Sequence, residues 1–297
     1  MNAPPAVNEP AAREPLREII ARHGLDARRS LGQHFLLDGN ITARIARASG
    51  DLSGRTVIEV GPGPGGLTRA LLDVGAARVI AVEVDPRAVA AVEELAAEPA
   101  SGGRLTVLEA DATLLDLASM GTAPRQVVAN LPYNVATPLL IGWLRQAAAF
   151  ERLTLMFQRE VAERIAAAPD TPAYGRLSVL AQWVCATDLA LRLPAEAFVP
   201  PPKVASAVVR LTPHAAQPSP ALFAAMERVT AAAFGQRRKM LRGSLRGIGG
   251  EALLLATGIA GNRRAETLTV AEFERLAVAT LAATRSVLSD RSETDQE

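Results

Sequence analysis

The chain has 297 residues, 49% of them hydrophobic and 21% charged, with a formal net charge of +1. That length argues for two domains, or one large domain with an appendage, and that composition excludes disorder for most of it. One cysteine, Cys185, excludes an internal disulfide framework, and three histidines without ligand spacing, His23, His34 and His214, give no metal site.

Residues 1–28 are expected to form a flexible leader. The stretch is proline-rich at its start, carries Glu9 and Glu14, and has no apolar core of a secretory signal. From residue 56 to 211, short apolar runs alternate with amphipathic segments, the pattern of a doubly wound α/β sheet. Residues 56–60, 78–84, 104–108, 126–129 and 153–157 are β-branched or apolar and are predicted as five parallel strands. Residues 189–193 and 205–211 are joined by a proline-rich connection, Phe198-Val199-Pro200-Pro201-Pro202-Lys203, with no crossover helix, which predicts a closing antiparallel pair. Asp85-Pro86 and Thr137-Pro138 each place a capping residue before a proline at a predicted helix start. The apolar stretch over 127–144 is broken by Pro132 and Pro138, so no membrane span is expected, and a reducing cytoplasm is the expected location.

After Pro213 a linker by composition leads to helices predicted over 222–234, 236–245 and 270–281, a small all-α domain. The polar stretch 289–297 is expected to fray. Charge is concentrated between residues 200 and 250, where Lys203, Arg210, Arg228, Arg237, Arg238, Lys239, Arg242 and Arg246 face Glu227 as the lone acid. Of 32 basic residues in the chain only Lys203 and Lys239 are lysines, and arginine suits bidentate phosphate contacts.

The first strand runs into Gly61-Pro62-Gly63-Pro64-Gly65-Gly66. Such a loop fits a dinucleotide, an adenosyl-sulfonium compound or a tight structural turn. Glu83 ends the second strand, where a carboxylate accepts ribose hydroxyls, and Asp111 follows the third, as ligand or as helix cap. Ligands of open α/β sheets sit beyond the carboxyl ends of the strands, so Gly61, Glu83, Asp111 and Asn130 are expected to converge.

After the fourth strand comes Asn130-Leu131-Pro132-Tyr133. An adenine amine is a poor nucleophile because its lone pair is delocalised, and acceptors for its hydrogens favour the pyramidal geometry that frees the pair. The Asn130 side-chain oxygen and the Leu131 carbonyl each take one N–H in this reading, while Tyr133 stacks on the base. A base approached this way is single-stranded or flipped out, and Phe198 is the candidate for its other face, with core packing as the alternative.

These motifs, with Leu31-Gly32-Gln33-His34-Phe35-Leu36, Tyr174-Gly175-Arg176-Leu177-Ser178 and Phe234-Gly235-Gln236-Arg237-Arg238-Lys239, closely resemble those of bacterial ribosomal RNA adenine dimethyltransferases. The resemblance spans about residues 30 to 270. It implies a Rossmann-like, S-adenosylmethionine-dependent methyltransferase with a mostly parallel seven-stranded sheet over 29–213 and a helical rRNA-binding domain over 214–288. The implied reaction is dimethylation of the N6 amino groups of two adjacent adenosines in the 3′-terminal hairpin of 16S rRNA, in the small (30S) ribosomal subunit or its precursor. The implied cofactor contacts are His34, Leu36, Gly61, Gly63, Glu83, Asp111 and Asn130, with the target base between Tyr133 and Phe198. Lys203, Arg237, Arg238, Lys239, Arg242 and Arg246 would grip rRNA phosphates, with Arg22, Arg28 and Arg29 extending the surface.

One position departs from the family: His34 stands where Asn is usual. Three rival readings remain, namely a large-subunit (23S) rRNA dimethylase of the macrolide-resistance type, a nicotinamide dehydrogenase, and a non-catalytic assembly factor for pre-rRNA. A monomer is expected.

Overall fold

The structure, a computed structural model, describes residues 13–25, 34–236 and 238–294. Arg28, Arg29, the Leu31-Gly32-Gln33 part of the first motif and Arg237 lie outside them.

The leader is not structureless throughout. Helix α1 (Leu16–Arg22) lays Ile19 against Phe35, Ala88 and Ala91, and Leu25 is fully buried in the same cluster. Apolar side chains at 16, 19, 20 and 25 drive this docking, so the flexible reading fails for that stretch. Strand β1 (Phe35–Leu36) and helix α2 (Gly39–Ala48) follow, the helix started by Asp38, which accepts from the Asn40 N–H.

The sheet then builds as predicted, with small shifts of boundary. It alternates β2 (Thr56–Val60), α3 (Gly66–Asp73), β3 (Arg78–Glu83), α4 (Pro86–Ala97), β4 (Leu105–Glu109), β5 (Arg125–Asn130), α5 (Tyr133–Leu144) and β6 (Arg152–Gln158). Asp85 caps α4 through the Arg87 N–H with Pro86 in the first turn, an arrangement that contributes about 1 kcal/mol. The Thr137-Pro138 expectation is corrected. Helix α5 starts five residues earlier, at Tyr133, and carries Pro138 in its interior. That proline has no N–H to give, so the Asn134 carbonyl one turn earlier loses its helical donor.

Helices α6 (Arg159–Ile165) and α7 (Arg176–Val184) lead to β7 (Cys185–Leu193), the two-residue β8 (Phe198–Val199) and β9 (Ser206–Pro213). The sheet order is β4-β3-β2-β5-β6-β9-β7, with β9 the one strand running against its neighbours on both sides. The order of β2 to β6 places the switch point between β2 and β5, where a crevice opens at their carboxyl ends. Strand β8 pairs antiparallel with β1, Leu36 opposite Phe198 and Phe35 opposite Val199.

Beyond the sheet, α8 (Pro220–Gly235), α9 (Leu241–Ser244), α10 (Gly250–Thr257) and α11 (Val270–Thr294) pack onto α7 and one another. Phe223, Met226, Leu241, Phe273 and Leu276 share one buried cluster with Leu180, Val184 and Leu211 of the sheet layer. The continuous helix predicted over 236–245 is broken: α8 ends at Gly235, and only the single turn α9 forms. At the other end α11 continues to Thr294, past the expected start of fraying at 289. Among the described residues, no helix is long and apolar enough to cross a membrane.

Glu227, the lone acid of the basic stretch, points back at the sheet side. It pairs with Arg145 at the end of α5 at 2.9 Å and with Arg176 of α7 at 3.5 Å. Its charge is thereby taken up at the junction, and the outer face of the helical part keeps its basic surplus.

Candidate active site

A cavity of about 410 Å³ lies at the carboxyl edge of β2, β3, β4 and β5. His34, Leu36, Gly61, Gly63, Glu83, Asp111, Asn130, Leu131, Pro132 and Tyr133 all line it, and among them are the four expected to converge, Gly61, Glu83, Asp111 and Asn130. Backbone shape explains the glycines. Gly63 has φ +55°, and a Cβ there would stand 3.1 Å from the Phe35 ring. At Gly66 a Cβ would meet the Leu36 carbonyl at 3.0 Å, so the loop, β1 and the start of α3 interlock.

Glu83 is held by three backbone donors. Its Oε1 accepts from Val84 at 2.8 Å and Asp85 at 2.9 Å, and its Oε2 accepts a longer bond from Gly63 at 3.3 Å. Burial pushes its carboxyl above the usual range, while those N–H groups pull it back. The weakly held Oε2 has room for a further donor. Asp111 is exposed, lines the cavity and takes the cap role of the two raised for it. Its Oδ1 accepts from the Thr113 N–H at 2.8 Å and hydroxyl at 2.7 Å, which lower its pKa, and Oδ2 has no partner among the described residues.

Glu59 was not assigned from sequence. It lies inside β2, is 1% exposed, lines the cavity, and its Oε2 has no hydrogen-bond partner. Burial pushes its pKa up to about 8, the nearby Thr68 hydroxyl pulls it back, and the neighbouring Glu83 carboxyl adds to the rise. The available signal was an acid inside an otherwise apolar central strand, Thr56-Val57-Ile58-Glu59-Val60.

These donors and acceptors select among the ligands the glycine loop allows. Glu59, Glu83 and Asp111 line the cavity, and among the described residues no lysine or arginine does. A pyrophosphate would bring two negative charges beside the Glu83 and Asp111 carboxyl groups, whereas S-adenosylmethionine carries one net positive charge. Orphaned Oε2 of Glu59 and loosely bonded Oε2 of Glu83 offer sites for its polar groups, so the residues fit that cofactor.

At the other end of the cavity, Asn130 donates from Nδ2 to the His34 carbonyl at 3.2 Å. That bond orients the amide so that Oδ1, which has no partner among the described residues, remains an acceptor. The Leu131 carbonyl likewise accepts no hydrogen bond among the described residues. Tyr133 opens α5, and its hydroxyl is 2.7 Å from that of Ser206, a fully buried residue of β9. Burial raises the phenol pKa. The role of Ser206 had no local signal, since 73 residues separate the pair.

Phe198 takes the packing alternative raised for it. Its ring is 1% exposed and sits in the core with Leu36, Ile45 and Leu193; it does not line the cavity. The inward face of the β1–β8 pair takes Phe198, and Val199 takes the outward one. The ring that faces Tyr133 is the imidazole of His34.

Lys203, Arg238, Lys239, Arg242 and Arg246 are exposed, and no carboxylate pairs with them among the described residues. They do not share one helix: Arg242 is in α9, Arg238 and Lys239 in the turn before it, Arg246 in the turn after it, and Lys203 follows β8.

The family model for ribosomal RNA adenine dimethylase matches residues 24–280. The chain is 64% identical over 267 residues to a ribosomal RNA small subunit methyltransferase A from Gluconobacter oxydans, covering 90% of this chain and 88% of that one. Among solved structures it is similar to a dimethyladenosine transferase from Plasmodium falciparum, with a TM-score of 0.68, 25% identity, and coverage of 82% and 96% of the two chains. A second is the 23S rRNA methyltransferase ErmE, with a TM-score of 0.60, 27% identity, and coverage of 83% and 99%.

Proposed function

The chain belongs to the ribosomal RNA adenine dimethylase family, and on that premise we propose that its crevice methylates the N6 amines of two adjacent adenosines in the 3′-terminal hairpin of 16S rRNA. The observation that carries this reading is the pair of acceptors without a partner among the described residues, Asn130 Oδ1 and the Leu131 carbonyl, beside a cavity that Glu83 and Asp111 line and that no described lysine or arginine does.

S-adenosylmethionine supplies an electrophilic methyl group on a positively charged sulfur. Glu83 would receive its ribose hydroxyls, Asp111 and Gly61 would lie beside its adenosine, and Gly63 with Leu36 would close the pocket around it. On the acceptor side, Asn130 Oδ1 and the Leu131 carbonyl take the two amine hydrogens of adenine. The nitrogen lone pair then points at the methyl carbon instead of into the ring. Tyr133 stacks on the base and Pro132 holds the turn rigid. Methyl transfer to N6 would leave the amine with one proton to shed, and Asn130 Oδ1 would accept that N–H and direct the proton toward solvent.

The small subunit is favoured as substrate over the large one because identity to a small-subunit enzyme far exceeds identity to the 23S enzyme. Lys203, Arg238, Lys239, Arg242 and Arg246 contact rRNA phosphates in this reading, within a helical rRNA-binding part spanning 214–288 that follows the methyltransferase part at 29–213. We place the protein in the cytoplasm, as a monomer on its ribosomal particle.

Labelled S-adenosylmethionine incubated with small subunits from a strain lacking the modification tests the function directly. Dimethyladenosine at the adjacent pair is the expected product. Label on 23S rRNA, or tight particle binding without label, would overturn the assignment.

A further inference from the structure

None of residues 13–25 lines the cavity, yet helix α1 backs the wall of the cofactor pocket at two places. At the first, Leu16 covers the start of α3: a Cβ on Gly66 would stand 2.8 Å from Leu16 Cδ1. At the second, Ile19 and Leu25 share a buried cluster with Phe35, whose ring lies against Gly63. Gly63 in turn gives its N–H to Glu83 Oε2. Gly24, just past α1, is tied to the turn that holds Glu83 Oε1, because the Arg87 guanidinium joins the Asp85 carboxylate to the Gly24 carbonyl.

Polar contacts fix the helix in this place. Arg69 of α3 donates to the Glu14 carbonyl at 2.7 Å, and Arg13 pairs with Asp73 at 2.8 Å. Glu94 of α4 takes Arg22 at 2.5 Å and His23 at 3.1 Å. A helix of seven residues does not hold by itself in water, so α1 exists only while it is docked.

We propose that α1 is a positioning element of the cofactor site: its docking holds the glycine loop and Glu83 in their binding geometry, so that docking and S-adenosylmethionine binding strengthen each other. The inference rests on the reading of the cavity as the S-adenosylmethionine site and is independent of which adenosine is methylated. With α1 undocked, Phe35 loses its apolar cover, and Gly63 loses the ring that backs it. The 3.3 Å bond from Gly63 to Glu83, the longest of the three on that carboxylate, then has nothing to keep it. Ile19 and Leu25 act through Phe35, and Leu16 acts through Gly66.

The test uses the full chain with S-adenosylmethionine and has two readouts. In hydrogen exchange, saturating cofactor is expected to slow the amides of residues 16–25 by about 5- to 150-fold, the usual range of coupling between two sites. Coupling is reciprocal, so Ile19→Ala is expected to weaken cofactor binding, read calorimetrically, by about fivefold or more, with kcat at saturating cofactor within about twofold of the parent. Met226→Ala, a comparable truncation in the core beneath α8, separates docking from general loss of stability: its cofactor affinity is expected to stay within about twofold of the parent.

Exchange in residues 16–25 that ignores the cofactor overturns the proposal, whether or not Ile19→Ala folds. So does a folded Ile19→Ala chain with the parental dissociation constant, or a Met226→Ala chain that loses as much affinity. In each of these cases the function assigned to the crevice stands. Failure of the parent chain to bind S-adenosylmethionine would instead remove the reading of the cavity, and the proposal with it.

Discussion

The Asn130 side chain and the His34 main chain, 96 residues apart in sequence, are joined by a 3.2 Å hydrogen bond from Nδ2 to the carbonyl. This one bond decides which end of the amide faces the substrate. Asn130→Asp replaces the donor with an oxygen that repels the carbonyl, and Asn130→Ala removes the acceptor altogether. Both are expected to lower kcat by about 10²-fold or more with the fold intact, as for loss of a positioned polar group in other active sites. Single-turnover methylation beside a thermal melt checks this; parental rates in Asn130→Ala would discard the acceptor role.

Glu83 sits at the cofactor end of the same cavity, with three backbone N–H groups already on its carboxylate. Glu83→Ala removes a charged acceptor whose hydrogen bonds are worth about 1.5–3 kcal/mol each, so cofactor affinity is expected to fall at least 10-fold. Calorimetric titration with S-adenosylmethionine reads this, and an unchanged affinity would move the ribose contact elsewhere.

The buried Glu59 gives the empty protein a pH-dependent stability. Burial raises its folded pKa from 4.5 to about 8, so between those values the folded chain keeps a proton that the unfolded chain has released. Stability therefore falls as pH rises from about 5 to 8, by at most about 1.4 kcal/mol per pH unit from this group. Buried Glu83 adds in the same direction. Glu59→Gln is expected to flatten the fall, measured as urea midpoints from pH 5 to 9 without cofactor; an equal slope in the variant would assign it to other groups.

Phe198 and Tyr133 separate packing from chemistry. Phe198→Ala empties a core position opposite Leu36 and is expected to cost about 3–5 kcal/mol of stability. Tyr133→Ala removes a half-buried ring at the cavity and is expected to cost rate more than stability. Denaturant midpoints and kcat for the two variants distinguish these effects, and a Phe198→Ala chain with parental stability and lost activity would return that ring to the base slot.

On the basic face, Arg242→Ala and Arg246→Ala are each expected to weaken particle binding and to lower the slope of log affinity against log salt by about one. Cofactor affinity is the control. An unchanged slope would take that residue out of the rRNA footprint.

Much of the site was legible because each ligand-bearing group follows its own strand within a few residues. The glycine loop after β2, Glu83, Asp111 and Asn130 through Tyr133 are contiguous motifs, and the rule that ligands lie beyond the carboxyl ends of parallel strands brings them together without coordinates. The parallel sheet itself was legible from apolar runs of strand length separated by segments of helix length. Composition likewise marked the basic stretch. Only the structure shows that its lone acid, Glu227, is spent on Arg145 and Arg176.

What tertiary structure decided were the choices that depend on partners far away in the chain. Side chains alternate faces along a strand, so whether Phe198 or Val199 turns inward depends on how β8 pairs with β1, and 162 residues separate Leu36 from its partner Phe198. No local pattern in a two-residue strand sets that face. The same pairing region brings the Pro200 carbonyl to His34 and the imidazole to Tyr133. Residues 16–25 looked like leader because their apolar face is short, and they fold only because Phe35, Ala88 and Ala91 are there to cover it. Sequence alone determined which polar groups stand at each strand end, a local and covalently fixed property; tertiary contacts decided which rings line the cavity and which is buried, because pairing and burial are properties of two distant segments at once.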